Sequence, residues 1–131
     1  MRATIAKAAE GEGRFIRRSV GRGQYGHVQI RIKPNKRGNG IEIINSASDD
    51  EIPTKYSKSI GEAVRFALES EMAIGDQVVD EHCIDDVLVR VVGGSFDATD
   101  SNELAFKMAG IFAVKAALKK AKPVRIIHSL S

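Results

Sequence analysis

The feature that most constrains the fold is the segment HVQIRIKP at residues 27–34, where apolar and polar side chains alternate. Val28, Ile30 and Ile32 fall on one side, and the residues between them are polar. A period of two is typical of a strand with one buried face. A second strand-like run surrounds Phe15, before a glycine-rich stretch. The two runs therefore predict a β-hairpin whose tip is the glycine-rich stretch.

The glycine-rich stretch, GRGQYG, matches the dinucleotide-binding pattern G-x-G-x-x-G and, with Val28, the glycine-rich loop of protein kinases. The first pattern needs a helix after the glycines to hold the pyrophosphate, and here a strand follows. The second needs a V-A-I-K lysine, an H-R-D loop and a D-F-G site, which the sequence lacks. Because nucleophile–base pairs and metal-ligand spacings are also missing, we expect no nucleotide site and no enzyme active site.

The glycines leave two interpretations open. They serve only the backbone geometry of a tight turn, or they bring backbone N–H groups close to phosphates with the help of Arg22 and Gln24. A turn does not require Arg22, so this residue distinguishes the two interpretations.

Two helices and further strands are predicted after the hairpin. The segments at residues 41–45, 85–92 and 124–127 have the composition of strands. Helical spacing predicts a first helix from Tyr56 to about Ile74. A second helix is predicted behind Asp100, which precedes Glu103 at capping-box spacing, and it ends before Pro123. The predicted apolar stripes are Ile60, Val64, Ala67, Leu68 and Met72 for the first helix, and Leu104, Met108, Ile111, Phe112 and Leu118 for the second.

The resulting order is β-β-β-α-β-α-β, with an additional short strand at Arg2–Ile5 left open. Two amphipathic helices with one apolar face each are expected to cover one face of a mostly antiparallel four-stranded sheet and to leave the other face polar. The predicted fold class is therefore α+β, a two-layer sandwich.

Charge is distributed unevenly along the chain: residues 1–40 carry +8, residues 41–100 carry −10 and residues 101–131 carry +5, for a total of +3. One basic face suited to a polyanion such as RNA and two solvated faces of opposite sign both fit this pattern. The single cysteine, Cys83, allows no internal disulfide, and we find no membrane-spanning or secretory segment. We expect one cytoplasmic domain over residues 1–131, without a membrane partner.

Five segments of the chain resemble the fourth domain of bacterial elongation factor G. The segment EGRFIRRSVGRGQYGHV is similar to E-G-K-F-I-R-Q-S-G-G-R-G-Q-Y-G-H-V of that family. The same holds for IPTKYSKSI, GGSFDATDSNELAFKMAG, KKAKPV and, near the start, RATIAK. These motifs occur in the family's order and nearly at its spacing over almost the whole chain.

The resemblance implies a sandwich like that of a ribosomal-protein domain, with a left-handed β-α-β crossover. It also implies a translation elongation domain that enters the A site of the small ribosomal subunit during translocation. Its tip loops contact tRNA, mRNA and the RNA of the decoding region. Carried over residue by residue, the RNA-binding positions are Gly21, Arg22, Gly23 and Gln24 in the first tip loop, and Gly94, Ser95, Phe96, Asp97, Ala98, Thr99 and Asp100 in the second.

The sequence departs from the family pattern at three places. Asp97 stands where the family has a histidine, Val20 replaces the first glycine of a G-G pair, and Asp80–Asp85 has the form of an insertion. A carboxylate that faces phosphates is unfavourable. Asp97 and the acidic middle third therefore favour an alternative, a stand-alone or degenerate protein-interaction module without a ribosomal role.

The sequence contains no GTPase domain. We therefore expect no cofactor in this chain, since the family uses GTP through that domain. The chain is expected to be either an excised or truncated piece of a larger elongation factor, with the other domains as partners, or a free-standing domain.

Overall fold

A computed structural model of the chain describes residues 2–19, 22–69, 72–74, 77–79, 83–121 and 123–125. The elements are β1 (Arg2–Ile5), β2 (Ala9–Ser19), β3 (Arg22–Pro34), β4 (Ile41–Asn45), a 3₁₀ turn (Thr54–Tyr56), α1 (Ser57–Glu69), β5 (Met72–Ile74), β6 (Gln77–Val79), β7 (Cys83–Ile84), β8 (Val87–Ser95), α2 (Glu103–Ala121) and β9 (Pro123–Arg125).

The main sheet has four strands in the order β2-β3-β8-β4. The pairs β2–β3 and β3–β8 are antiparallel, whereas β4 runs parallel to β8. A parallel pair of neighbours needs a crossover connection, and α1 lies within it. This arrangement confirms the predicted α+β class with a four-stranded sheet and two helices, and the handedness of the crossover stays a prediction.

The hairpin of β2 and β3 follows the predicted alternation. Val28, Ile30 and Ile32 are at most 1% exposed and belong to the core, while Arg31 and Lys33 on the opposite face are exposed. The ladder extends to the pair Ser19 and Arg22. The prediction of a loop at residues 21–24 was therefore too long, because Arg22, Gly23 and Gln24 already belong to β3 and only residues 20 and 21, which lie outside the described residues, separate the strands.

Helix α2 lies directly on the hairpin because both contact surfaces are small. A Cβ at Gly13 would overlap the carbonyl oxygen of Ala109, and one at Gly26 would overlap that of Ala105. The buried residues of α2 are Ala105, Phe106, Ala109, Gly110, Ala113, Val114, Ala117, Leu118 and Ala121. The predicted stripe was wrong for Leu104, which is 54% exposed, and right for Leu118. Where the backbone of α2 lies against these glycines, no room is left for a side chain on the strand.

Helix α1 carries four of the five residues of the predicted stripe but ends earlier than expected. Ile60, Val64, Ala67 and Leu68 are buried, as predicted. The helix stops at Glu69, and Met72 lies in β5, which pairs with β6. The predicted continuation to Ile74 was therefore wrong.

Two smaller sheets were not predicted. Strand β1 pairs in parallel with β7 and antiparallel with β9, so the beginning of the chain contacts its last described strand. Strands β5 and β6 form a separate pair. Half of the predicted insertion Asp80–Asp85, residues 80–82, lies outside the described residues, and the role of the insertion stays a prediction.

Candidate nucleic-acid interface

The two segments predicted to contact RNA lie next to each other at one end of the main sheet. Strand β3 begins at Arg22, and its neighbour β8 ends at Ser95, which is in register with His27. The loop after β8 leads into α2 at Glu103. The structure thus brings the described residues of both predicted tip segments together, while Gly21 lies outside the described residues.

Two hydrogen bonds join the end of the second loop to the start of β3. The N–H of Tyr25 donates to the carbonyl oxygen of Asp100 at 3.0 Å, and the hydroxyl of Ser101 donates to the carbonyl oxygen of Tyr25 at 2.9 Å. A Cβ at Gly23 would lie 2.6 Å from Cγ of Asp100, well inside ordinary contact. Glycine at position 23 therefore leaves room for the carboxylate of Asp100 beside the strand.

Asp97 organises the second loop from within. Its Oδ1 accepts the backbone N–H groups of Thr99 at 2.8 Å and of Asp100 at 2.9 Å. Its own N–H donates to Oγ of Ser101, whose N–H donates back to the carbonyl oxygen of Asp97. One carboxylate oxygen thus faces the amides of the loop, which partly balance its charge. An aspartate at this position is therefore compatible with an ordered, polar loop.

The loop ends at a helix cap that differs from the predicted one. Oδ1 of Asn102 accepts the N–H of Ala105 at 2.7 Å, which makes Asn102 the N-cap of α2. The predicted capping box of Asp100 with Glu103 was wrong by two positions. The reason is that Asp100 is engaged through its backbone with β3, before the helix begins.

Three polar side chains meet behind the second loop. The hydroxyl of Tyr25 lies 2.7 Å from Oγ of Ser95, and that oxygen lies 2.8 Å from Nδ1 of His27. On the other side of the imidazole, Nε2 lies 3.1 Å from Oε1 of Glu12. His27 is only 8% exposed, so its ring is held inside this group.

The accessible side chains at this end of the sheet combine an aromatic ring and a cation. Phe96 is 39% exposed, although it is aromatic, and Ala98 and Thr99 are exposed beside it. The guanidinium of Arg17 lies 5.2 Å from the ring centroid of Phe15. A base can stack on an aromatic ring, and a guanidinium attracts phosphate, so the surface carries both types of group that single-stranded RNA binds.

The outer face of the sheet is electrostatically almost balanced near β2. Arg31 approaches Glu10 at 2.6 Å, and its hydrogen bond and charge lower the pKa of the Glu10 carboxyl. Hydrogen bonds from Gln29 and then Arg14 lower the pKa of Glu12. These carboxylates stay ionised in the neutral range and neutralise the nearest cations.

Sequence reasoning missed three residues that shape the site: Tyr25, His27 and Ser101. The predicted first segment stopped at Gln24 and the second at Asp100. Tyr25 and His27 alternate along β3 in step with Gln29 and Arg31, so all four are expected on the outer face of the strand. This alternation was the signal by which Tyr25 and His27 could have been found. Gln24 itself is half-buried, and its Oε1 has no hydrogen-bond partner among the described residues.

The fold and the site define a two-layer α+β domain that presents two connected polar segments at one end of its sheet. The family model described as elongation factor G, domain IV, matches residues 1–122 of the chain. The chain therefore belongs to the domain IV family of elongation factor G, a non-catalytic domain of that translation elongation factor.

Two similar proteins and one solved structure agree with this assignment. The chain is 43% identical over 121 residues to elongation factor G of Aquifex pyrophilus and 41% identical over 123 residues to that of Dehalococcoides mccartyi. These matches cover 92% and 94% of the chain but only 16% and 17% of the relatives. A crystal structure of a protein from Thermus thermophilus matches with a TM-score of 0.81 at 31% identity, over 94% of this chain and 17% of that one. The chain thus spans about one sixth of the length of these proteins.

Within the described part of the chain, no helix is both long and apolar enough to cross a membrane.

Proposed function

We propose that the chain binds the ribosomal A site on the small subunit and contacts tRNA, mRNA and decoding-region RNA during translocation, without GTPase activity of its own. The contacts are made by the tip surface, which comprises the first segment (Gly21–Gln24) and the second segment (Gly94–Asp100). In this proposal the protein acts in the cytoplasm, beside other domains of an elongation factor.

The observation that carries the proposal is the physical connection of the two segments. They come from distant parts of the sequence, yet Tyr25, the residue after the first segment, is hydrogen-bonded to both Asp100 and Ser101 at the end of the second. A connected surface loses less conformational entropy on binding than two independent loops would. Both segments can therefore bind one RNA surface at the same time.

The accessible groups at the tip also fit RNA. Phe96 offers an aromatic face, and the paired strands bring Arg17 opposite Gln24. Asp97 is the group that argues for a protein partner instead. Since one of its oxygens accepts two amides of its own loop, its charge is partly compensated where RNA would approach.

Cosedimentation with purified small ribosomal subunits tests the proposal. The chain and its Arg22→Ala variant are compared with Arg37→Ala, which removes the same charge. Arg37 is exposed in the turn between β3 and β4, at the other end of β3, roughly 40 Å from Arg22 at the rise of an extended strand. We expect Arg22→Ala to weaken binding about fivefold or more and Arg37→Ala to leave it within about twofold, because only the first removes a phosphate contact.

Salt dependence provides the second criterion. Binding to phosphates releases counterions, so the affinity should fall steeply as the salt concentration rises, and Arg22→Ala should lower that slope by about one. A chain that does not cosediment with small subunits refutes the proposed function. Equal affinities of the two arginine variants refute the assignment of the first segment, and salt-independent binding to proteins without RNA would support the protein-interaction module.

A further inference from the structure

Tyr25 contacts the second segment at both of its ends. Its side-chain hydroxyl lies 2.7 Å from Oγ of Ser95, the residue just before Phe96. Its backbone N–H and carbonyl bind Asp100 and Ser101, where the segment ends. Tyr25 of β3 therefore bonds to residues at both ends of the loop that follows β8.

Ser95 connects Tyr25 to His27. A serine hydroxyl has one proton to donate and two lone pairs to accept with. Both neighbours can donate or accept, so Oγ of Ser95 can bond to Tyr25 and His27 at the same time. His27 holds the far side of this group, because its ring is buried and its Nδ1 lies 2.8 Å from Oγ of Ser95.

We infer that Tyr25, Ser95 and His27 form a clasp that positions the second segment against the hairpin, so that the two segments meet RNA in a fixed relative orientation. The inference rests on the proposed function for its RNA part. The three residues are positioning residues. Tyr25 and His27 lie outside the tip surface. Ser95 belongs to the second segment, but its hydroxyl is engaged with these two residues, and the other groups of the tip surface touch RNA.

The contacts of the loop explain why the clasp is needed. Within the loop, Asp97 makes short-range bonds to Thr99, Asp100 and Ser101, which fix its internal shape. Those bonds do not set where the loop lies relative to β3. The pairing of Ser95 with His27 in the sheet brings the beginning of the loop beside β3. The link from Oγ of Ser95 to Tyr25 and His27 adds a side-chain connection there, next to the half-exposed ring of Phe96.

Ser95→Ala, with Ser95→Thr as the conservative variant, tests the clasp. Alanine removes both hydrogen bonds of the hydroxyl, whereas threonine keeps them and suits a strand. Ser46→Ala is the matched control, because it also removes one serine hydroxyl, bonded to Arg90 in the middle of the sheet. All variants are made in the full chain, and each is checked by its thermal midpoint.

The first readout is amide hydrogen exchange, measured by NMR without any ribosome. In Ser95→Ala we expect exchange at the amides of Tyr25, Thr99 and Asp100 to quicken by about 5- to 30-fold, as the loss of one or two hydrogen bonds predicts. Ser95→Thr and Ser46→Ala should stay within about twofold of the wild type. The amides of Gly38 and Gly40, which donate to Asp86 at the far end of β3, serve as the internal reference.

The second readout is affinity for small ribosomal subunits. Ser95→Ala should bind about fivefold more weakly, and Ser95→Thr should restore binding. Unchanged exchange at the loop in Ser95→Ala, or equal acceleration at Gly38 and Gly40, overturns the clasp. A loosened loop with undiminished binding overturns its positioning role. If the wild-type chain does not bind small subunits, the proposed function is wrong, and the exchange data then decide the clasp alone.

Discussion

Substitution of Gly13 by alanine tests the packing that places α2, and with it the second tip segment. Gly13 lies on β2 directly beneath the helix, where its missing side chain lets the carbonyl oxygen of Ala109 approach. The same substitution at Gly61 is the matched control. Gly61 lies within α1, and a Cβ there would meet no atom within 4 Å.

The size of the effect follows from the contacts. A Cβ at Gly13 would lie 2.5 Å from the nitrogen of Ala113 and 2.9 Å from the carbonyl carbon of Ala109, whereas ordinary contact begins at 3.4 Å. Both are backbone atoms, so no side chain can turn away and α2 must move off the sheet by roughly 1 Å. A gap of that size forfeits about a quarter to a half of the dispersion energy of each contact. Overpacking costs about 1–3 kcal/mol, and we expect a value at the upper end, about 3 kcal/mol.

Urea unfolding followed by circular dichroism measures both variants. For Gly13→Ala we expect the midpoint to fall by about 1.5–2 M, which is the expected loss divided by the urea dependence of a chain of this size. Gly61→Ala should instead raise the free energy of unfolding by about 0.5–1 kcal/mol, because alanine favours a helix interior over glycine. The opposite signs separate close packing from a general effect of an added methyl group.

A Gly13→Ala variant as stable as the wild type would refute this reasoning. It would mean that β2 and α2 are separated by more than the contact distances indicate. If both variants were destabilised, the space around each glycine would not decide whether alanine raises or lowers the free energy of unfolding, and the reasoning would fail as well.

Three further predictions concern single side chains. Asn102→Ala should lower the free energy of unfolding by about 1 kcal/mol in the urea assay, since it removes the N-cap of α2, and Asp100→Ala should lower it by less. Hydrogen bonds from the backbone N–H and then the hydroxyl of Thr54 lower the pKa of Asp49. The ionised Asp49 carboxylate therefore stabilises the fold above the ordinary carboxyl pKa of 3.8, and this contribution is lost as the pH falls through the lowered pKa. Urea unfolding at pH 7 and pH 3 should show a smaller loss of stability in Asp49→Asn than in the wild type. Asp97→Asn keeps an oxygen for the two loop amides but removes the charge, so its affinity for small subunits should rise about two- to fivefold at low salt, and a fall in affinity would show that the charge itself is needed.

The strands of the hairpin and helix α1 could be predicted because one face of each is buried and the other is not. The alternation of apolar and polar residues on β3 and the helical spacing of apolar residues around Val64 show directly which face is buried. The buried face of α2 could not be found in this way, since its charged residues are spread around the helix axis and are not confined to one side. The informative signal was the size of the residues: Ala105, Ala109, Ala113 and Ala117 recur every four positions, opposite glycines of the hairpin.

The candidate site could be predicted in part, by resemblance, as two segments that share a function. Their connection could not, because it depends on the register between β3 and β8. That register shifts between Gln29 and Ile30, and the shift determines that Ser95 lies beside His27. A bulge of this kind leaves no recognisable pattern in the sequence, so the roles of Tyr25 and Ser101 could be found only from the structure.

The glycine spacing that imitates a nucleotide-binding fingerprint has a structural cause in this fold. Gly23 leaves room for the side chain of Asp100, at the end of the second segment, and Gly26, three residues further, lets the backbone of the first turn of α2 approach at Ala105. Asp100 and Ala105 are themselves five residues apart, on either side of the cap at Asn102. One glycine therefore contacts the end of the loop and the other contacts the start of the helix. The strand that carries the first segment thus also positions the second segment. A nucleotide-binding loop uses such glycines to admit phosphate to the backbone, whereas here they admit another part of the same chain.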